Sequence, residues 1–168
     1  PVACYKEAHL ELCNRFLQEA GLTQLPIKLY LKKTSEIIES ADCCLMVSGS
    51  VSLEMLARKT PAVVLYRSHW GMYFLGQVLI TCKYMSLPNL IADREIMPEF
   101  PSVGNPDKDV AKINTILSDW LTTPLSLERA RHKLASLYDE TVIPGASAQA
   151  AIAILNKIEA PSQQKSAA

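Results

Sequence analysis

The residues from Cys43 to Tyr66 restrict the fold more than any other stretch of the chain. An apolar run, Cys43-Cys44-Leu45-Met46-Val47, stops at Ser48-Gly49-Ser50. A short helical pattern follows, with Val51, Leu53, Met55, Leu56 and Ala57 as its apolar positions. Thr60-Pro61 ends that pattern, because the residue before a proline is pushed out of the helical region. A second apolar run, Ala62-Val63-Val64-Leu65-Tyr66, comes next. Strand, small-residue turn, helix and strand make a βαβ unit. Both strands are apolar at every residue, the pattern of a parallel sheet covered on both faces.

The turn carries the chemistry. Ligands of open α/β sheets bind outside the carboxyl ends of the strands. A helix that starts there offers unpaired N–H groups and a partial positive charge, a seat for phosphate. Gly49 lets a diphosphate approach the backbone closely. With Ser50 as the N-cap, Glu54 lies one turn into the helix on the same side. It forms no capping box, since Leu53 stands at the third position. A carboxylate so placed can accept hydrogen bonds from ribose hydroxyls. The competing reading makes the serines simple caps and Glu54 a solvated helix acid. Local sequence leaves both open, because strand–glycine–helix turns recur throughout α/β proteins.

Alternation continues on both sides. Strands are expected at 1–5, 27–31 and, as the last one, 84–87. Helices are expected over 9–20, with Leu10, Cys13, Phe16, Leu17 and Ala20 as an apolar stripe closed by Gly21, and from Thr34 or Ser35 to Ala41. Residues 90–100 mix apolar side chains with Asp93, Arg94, Glu95 and Glu99, and 101–106 read as a loop. Three further helices follow: 107–121 capped by Asp107, 125–138, and 147–158 capped by Ser147. The result is a doubly wound, mostly parallel α/β domain over 1–159 with a helical C-terminal end, and a disordered tail over 160–168. Residues 68–82 hold Trp70, Tyr73, Phe74 and other large apolar side chains with almost no charge. They read either as a buried helix or as a surface that docks on a membrane or partner domain. The basic cluster Arg129 to Lys133 reads as a solvated helix face, with contact to anionic lipid headgroups as the lesser alternative.

Composition removes other classes. Lysine plus arginine equals aspartate plus glutamate at 17 each, which argues against a nucleic-acid partner. The five cysteines show no zinc spacing, and Cys43-Cys44 are expected as buried thiols on opposite faces of a strand in a reducing, cytosolic environment. No metal site is expected. The sequence shows no signal-peptide pattern, no run long enough to span a bilayer, no Walker A, no G-x-G-x-x-G, no H-E-x-x-H and no G-x-S-x-G. None of His9, His69 and His132 has a partner at a catalytic spacing.

Two segments together resemble one family. Ser48-Gly49-Ser50-Val51-Ser52-Leu53-Glu54, followed by Lys59-Thr60-Pro61-Ala62-Val63-Val64-Leu65-Tyr66-Arg67, resembles the donor-binding motif of the lipid-A-disaccharide synthases. Tyr84-Met85-Ser86-Leu87-Pro88-Asn89-Leu90-Ile91-Ala92-Asp93-Arg94-Glu95 is similar to that family's second signature. The resemblance implies the Rossmann-like C-terminal half of a GT-B glycosyltransferase, lacking the N-terminal acceptor domain and the first strand of the donor domain. It further implies a hexosyltransferase that moves 2,3-diacylglucosamine from UDP to 2,3-diacylglucosamine 1-phosphate in lipid A biosynthesis. No cofactor takes part. The partners implied are the UDP-diacylglucosamine donor, the lipid acceptor and the cytoplasmic face of the inner membrane, with a homodimer as a candidate assembly. By position, Ser48, Gly49 and Ser50 would hold the diphosphate and Glu54 the ribose. Arg67 and Asn89 would line the same cleft, with Arg94 and Glu95 as nearby support. The catalytic base would belong to the absent domain, so the chain alone would bind weakly and catalyse nothing. The sequence departs from the family at Asp93, where glycine is usual, and at Phe100-Pro101, where leucine and glutamine are common.

Two alternatives stand beside this reading. One is a non-catalytic nucleotide-sugar-binding or scaffold domain that kept the fold. The other is a different GT-B enzyme, a MurG-type transferase or a UDP-N-acetylglucosamine epimerase, which the Ser86-Leu87-Pro88-Asn89 turn disfavours.

Overall fold

The structure is a computed structural model that describes residues 1–47, 49–68 and 83–159. Ser48, the apolar stretch over 69–82 and the tail over 160–168 lie outside the described residues, with the expectations attached to them. The chain divides into two compact units, Pro1–Tyr138 and Asp139–Ala168.

Every strand pairing described in the first unit is parallel. β1 (Val2–Cys4) pairs with β2 (Leu29–Leu31), while β3 (Cys44–Met46), β4 (Ala62–Ser68) and β5 (Glu99–Val103) pair in the order β3-β4-β5. The α/β, mostly parallel reading holds, but the strands form two sheets instead of one. Doubly wound sheets commonly run in the strand order 3-2-1-4-5-6. β2 and β1 match its places 3 and 2, and β3, β4 and β5 match 4, 5 and 6. Between β1 and β3, where that order puts its first strand, no strand is described. Helix α2 (Thr34–Ser40) joins the two sheets by packing on both β1 and α3 (Val51–Arg58). Thr60 Oγ1 donates to the Ile38 carbonyl at 3.2 Å, and Arg58 Nη1 pairs with Glu39 Oε2 at 3.0 Å.

β4 is the centre of the core because side chains alternate across a strand. Ala62 and Val64 face a cluster with Ile38, Met55, Leu56, Met97, Leu134 and Leu137. Val63 and Leu65 face the other way, onto Ile113, Ile116, Leu117 and Trp120. Helix α3 therefore covers one face and α5 (Asp107–Thr122) the other, while α6 (Pro124–Thr141) contributes to both clusters. Cys44 packs with the first cluster and Cys43 with the second, as a one-residue step along an extended chain requires. Both thiols are half-buried, not buried as expected. Helix α1 (Glu7–Glu19) buries none of its residues, and Phe16, expected in its inward stripe, is 62% exposed.

Three boundaries differ from expectation. No strand forms at 84–87; a six-residue helix, α4 (Leu87–Ala92), begins there with Ser86 as its N-cap. The amides of Met85 and Ser86 bond to a carboxylate and not to a neighbouring strand, and Pro88 fits the first turn of a helix. The third strand of the larger sheet is β5, which runs through Pro101. A proline inside a strand is admitted at a sheet edge, and β5 is an edge strand. Asp107 does not cap α5: it is the first helical residue, and its amide donates to Asn105 Oδ1 at 3.0 Å.

In the second unit, α7 (Ala146–Glu159) follows Gly145, whose φ of 81° makes the turn. Ser147 lies inside the first turn of that helix instead of capping it.

Candidate functional site

The turn after β3 is built from beneath. Ser52 is fully buried, and its Oγ donates to the Gly49 carbonyl at 2.7 Å. Its amide donates to the same oxygen at 3.0 Å, and the Leu53 amide donates to the Ser50 carbonyl at 3.0 Å. Gly49 and Ser50 are thereby held at the surface. A Cβ added to Gly49 would meet open space, so the approach to its backbone is unobstructed. Ser50 is the N-cap of α3, but its side chain caps nothing, which leaves the hydroxyl to other partners. Sequence reading passed over Ser52. Its spacing to Met55 and Leu56, three and four residues on, marks it as belonging to the buried stripe of α3.

Glu54 lies on α3 one turn further in. Its Oε1 accepts from Arg58 Nε at 3.3 Å, and Arg58 also holds Glu39 on α2. The pair is partly exposed, and only one carboxylate oxygen is used in this contact.

Arg67 lies near the carboxyl end of β4, the strand next to β3. Met46, the last residue of β3, is level with Val64, so Arg67 stands three residues beyond it, on the side of the turn. Its Nη2 donates to the Gly104 carbonyl at 3.0 Å, one of five guanidinium donors. Across the register from Arg67, Ser102 is 1% exposed and its Oγ has no hydrogen-bond partner.

Asn89 occupies a different environment from the open cleft expected for it. It is fully buried, and its Nδ2 donates to the Met97 carbonyl and to Glu99 Oε1, both at 2.8 Å. Its Oδ1 accepts from the amides of Ile96 at 2.8 Å and Met97 at 2.9 Å. Two donors and two acceptor positions are the whole capacity of an asparagine side chain. Glu99, which sequence reading left without a role, takes three more bonds. They come from the Met85 amide to Oε2 at 2.8 Å, and from the Ser86 amide and Ser86 Oγ to Oε1 at 2.7 and 2.6 Å. Arg94 and Glu95 are exposed and follow α4 at its C-terminal end, away from the Ser86 anchor.

Asp93 makes the sequence departure intelligible. It ends α4 with φ 48°, a left-handed conformation that glycine adopts without cost. Aspartate is among the few other residues that tolerate it.

No group of three or more histidine, cysteine, aspartate or glutamate side chains among the described residues could hold a metal ion. No helix among them is long and apolar enough to cross a membrane.

The family model for lipid-A-disaccharide synthetase matches residues 5–123, a span that contains the 48–50 turn, Glu54, Arg67, Asn89, Arg94, Glu95 and Glu99. The chain belongs to the lipid-A-disaccharide synthetase family. Among curated relatives, the lipid-A-disaccharide synthase of Psychromonas ingrahamii is 39% identical over 82 residues, 49% of this chain and 22% of the relative. That of Colwellia psychrerythraea is 33% identical over 138 residues, 79% of this chain and 32% of the relative. That of Pseudomonas paraeruginosa is 32% identical over 156 residues, 93% of this chain and 39% of the relative. The chain thus spans less than half the length of these family members.

Proposed function

We propose that residues 1–159 form the donor-binding part of a hexosyltransferase that uses a UDP-linked 2,3-diacylglucosamine. The acceptor is 2,3-diacylglucosamine 1-phosphate and the product is the lipid A disaccharide. The observation that carries this reading is the exposed Gly49-Ser50 turn. It heads α3 at the carboxyl end of a parallel strand, in a chain of this family. The helix N-terminus attracts the diphosphate, and Arg67 on the adjacent strand adds a full positive charge at the same end of the sheet. Together they stabilise the charge that develops on the departing UDP. Glu54, with an oxygen outside its Arg58 contact, accepts from the ribose. Asn89 acts from inside the protein, and Arg94 and Glu95 support the segment from its far end.

The place between β1 and β3 belongs, in this reading, to a further parallel strand of the donor domain. The base that activates the acceptor hydroxyl comes from a separate acceptor domain. The work is done at the cytoplasmic face of the inner membrane by peripheral association.

Calorimetric titration of the chain with UDP tests the site. Ser50→Asp separates folding from binding, because the two respond with opposite sign. An acid at the α3 N-terminus interacts favourably with the helix dipole by about 0.3–1 kcal/mol, yet repels a diphosphate. Weak UDP binding that disappears in this variant, with stability kept or raised, is the expected result. UDP affinity indifferent to the substitution would remove the diphosphate from this turn.

A further inference from the structure

We propose that Glu99 is a positioning residue that sets the α3 N-terminus through α4. The proposal rests on the donor-site reading above for its functional consequence, though not for its structural part.

Glu99 is the first residue of β5, and the registers align Met46, Val64 and Glu99 in one row across three strands. Met46 and Val64 belong to the core cluster on the α3 face, and Glu99 reaches α4 on that same face. The row lies where β3 ends and the chain turns toward Gly49. The Glu99 carboxylate accepts from two backbone amides, one hydroxyl and one side-chain amide, and all four donors are neutral. Its bonds therefore act as ties to neighbouring groups, not as a charge pair.

These ties replace local capping. Ser86 is the N-cap of α4 but makes no side-chain cap; its hydroxyl donates to Glu99 instead. A helix fixed by its own cap keeps its shape wherever it lies. A helix whose N-cap is bonded to a strand is held in place relative to the sheet. α4 in turn packs on α3, and Ala92 and Val51 rest against the same core cluster. The connection runs from Glu99 to the start of α4, across the α4–α3 contact, and along α3 to Gly49 and Ser50.

Glu99→Gln tests the connection with a side chain of almost the same shape. Its amide nitrogen faces donors where an acceptor is needed, so at least one tie is lost. Ile113→Val, in the cluster on the opposite face of β4, serves as a mildly destabilising core control. Two measurements apply. In amide NMR spectra without ligand, Glu99→Gln is expected to shift Gly49, Ser50 and Val51 as well as 83–90, whereas the control leaves them in place. Shifts confined to 83–90 would overturn the proposal whether or not UDP binds. In UDP titrations, Glu99→Gln is expected to lower affinity at least tenfold and the control to leave it unchanged. Equal losses in the two variants would mark Glu99 as an element of the fold alone. Failure of the unmodified chain to bind UDP, with the shifts at 49–51 present, would instead count against the donor-site reading and leave the connection standing.

Discussion

Asn89 Nδ2 lies 2.8 Å from Glu99 Oε1, and this bond joins the interior of α4 to the first residue of β5. Ten residues apart in sequence, the two groups close a loop whose other ties are the Ile96 and Met97 amides on Asn89 Oδ1. Ile96 and Met97 are themselves buried. The polar centre is satisfied only as a set.

Asn89→Ala should therefore be costly. It leaves two buried amides and one buried carbonyl without their partner, and each such group costs about 1–3 kcal/mol. A loss of roughly 3 kcal/mol or more is expected in urea denaturation. Asn89→Asp should be nearly as harmful at neutral pH, because it sets a second carboxylate against Glu99. Repulsion raises the folded pKa of the introduced acid above its unfolded value. The variant's deficit should then shrink as pH falls through the carboxylate range and grow as pH rises. A loss under about 1 kcal/mol for Asn89→Ala would mean that water replaces the side chain.

The two left-handed helix ends give a matched pair. Asp93 has φ 48° and Lys59 φ 57°, and both are exposed. A non-glycine residue in this region carries a strain of about 1 kcal/mol. Glycine removes it but loses more backbone entropy on folding. Asp93→Gly should gain roughly 0.5 kcal/mol. Lys59→Gly should gain almost nothing, because Lys59 Nζ lies 5.3 Å from the Tyr138 ring. A cation–π contact at an exposed site is worth about 0.5–1 kcal/mol. Equal changes in melting temperature for the two would contradict this division.

Three thiols, Cys4, Cys43 and Cys44, titrate late. Burial pushes Cys43 up, with the nearby Asp42 charge adding to it and Arg131 opposing. Burial also raises Cys44, helped by Cys43. Cys4 rises through burial and the neighbouring Cys13. A folded thiol pKa above the unfolded value stabilises the fold fully below the ordinary value of 9.0, and that stability is lost as pH rises through the folded value. Stability should fall above about pH 9. Iodoacetamide at pH 8 should modify Cys4, Cys43 and Cys44 more slowly than it modifies the unfolded chain. Equal rates would place these thiolates in solvent.

Much of the fold was legible because its signals are local. The apolar runs around Ser48-Gly49-Ser50, the proline at 61 and the glycine at 21 each act within a few residues. The misreadings came from residues whose partners are distant in sequence. Tyr84 to Leu87 reads as a strand until Glu99, more than ten residues on, takes the Met85 and Ser86 amides. Pro101 to Pro106 reads as a loop because Pro101 discourages a strand, and only the place of β5 at the sheet edge allows one there. Asn89 shows the same limit at the site. Its residue type suits a ligand contact as well as a buried knot, and only its burial separates the two.

Glu54 offers the last test, because its two contributions differ in size. Its pair with Arg58 is partly exposed and spaced i,i+4, worth about 0.3–0.5 kcal/mol. Arg58 keeps Glu39 when Glu54 is removed. Glu54→Ala should therefore leave the melting temperature nearly unchanged. In the proposed site the same carboxylate accepts from the ribose. Loss of a hydrogen bond to a charged acceptor costs about 1.5–3 kcal/mol, or roughly ten- to a hundredfold in affinity. UDP should bind the variant that much more weakly. A deoxy-ribose analogue of UDP lacking the bonded hydroxyl should bind the unmodified chain and Glu54→Ala about equally. Should UDP bind the variant as tightly as the unmodified chain, the carboxylate serves α3 and Arg58 alone, and the ribose must be held elsewhere.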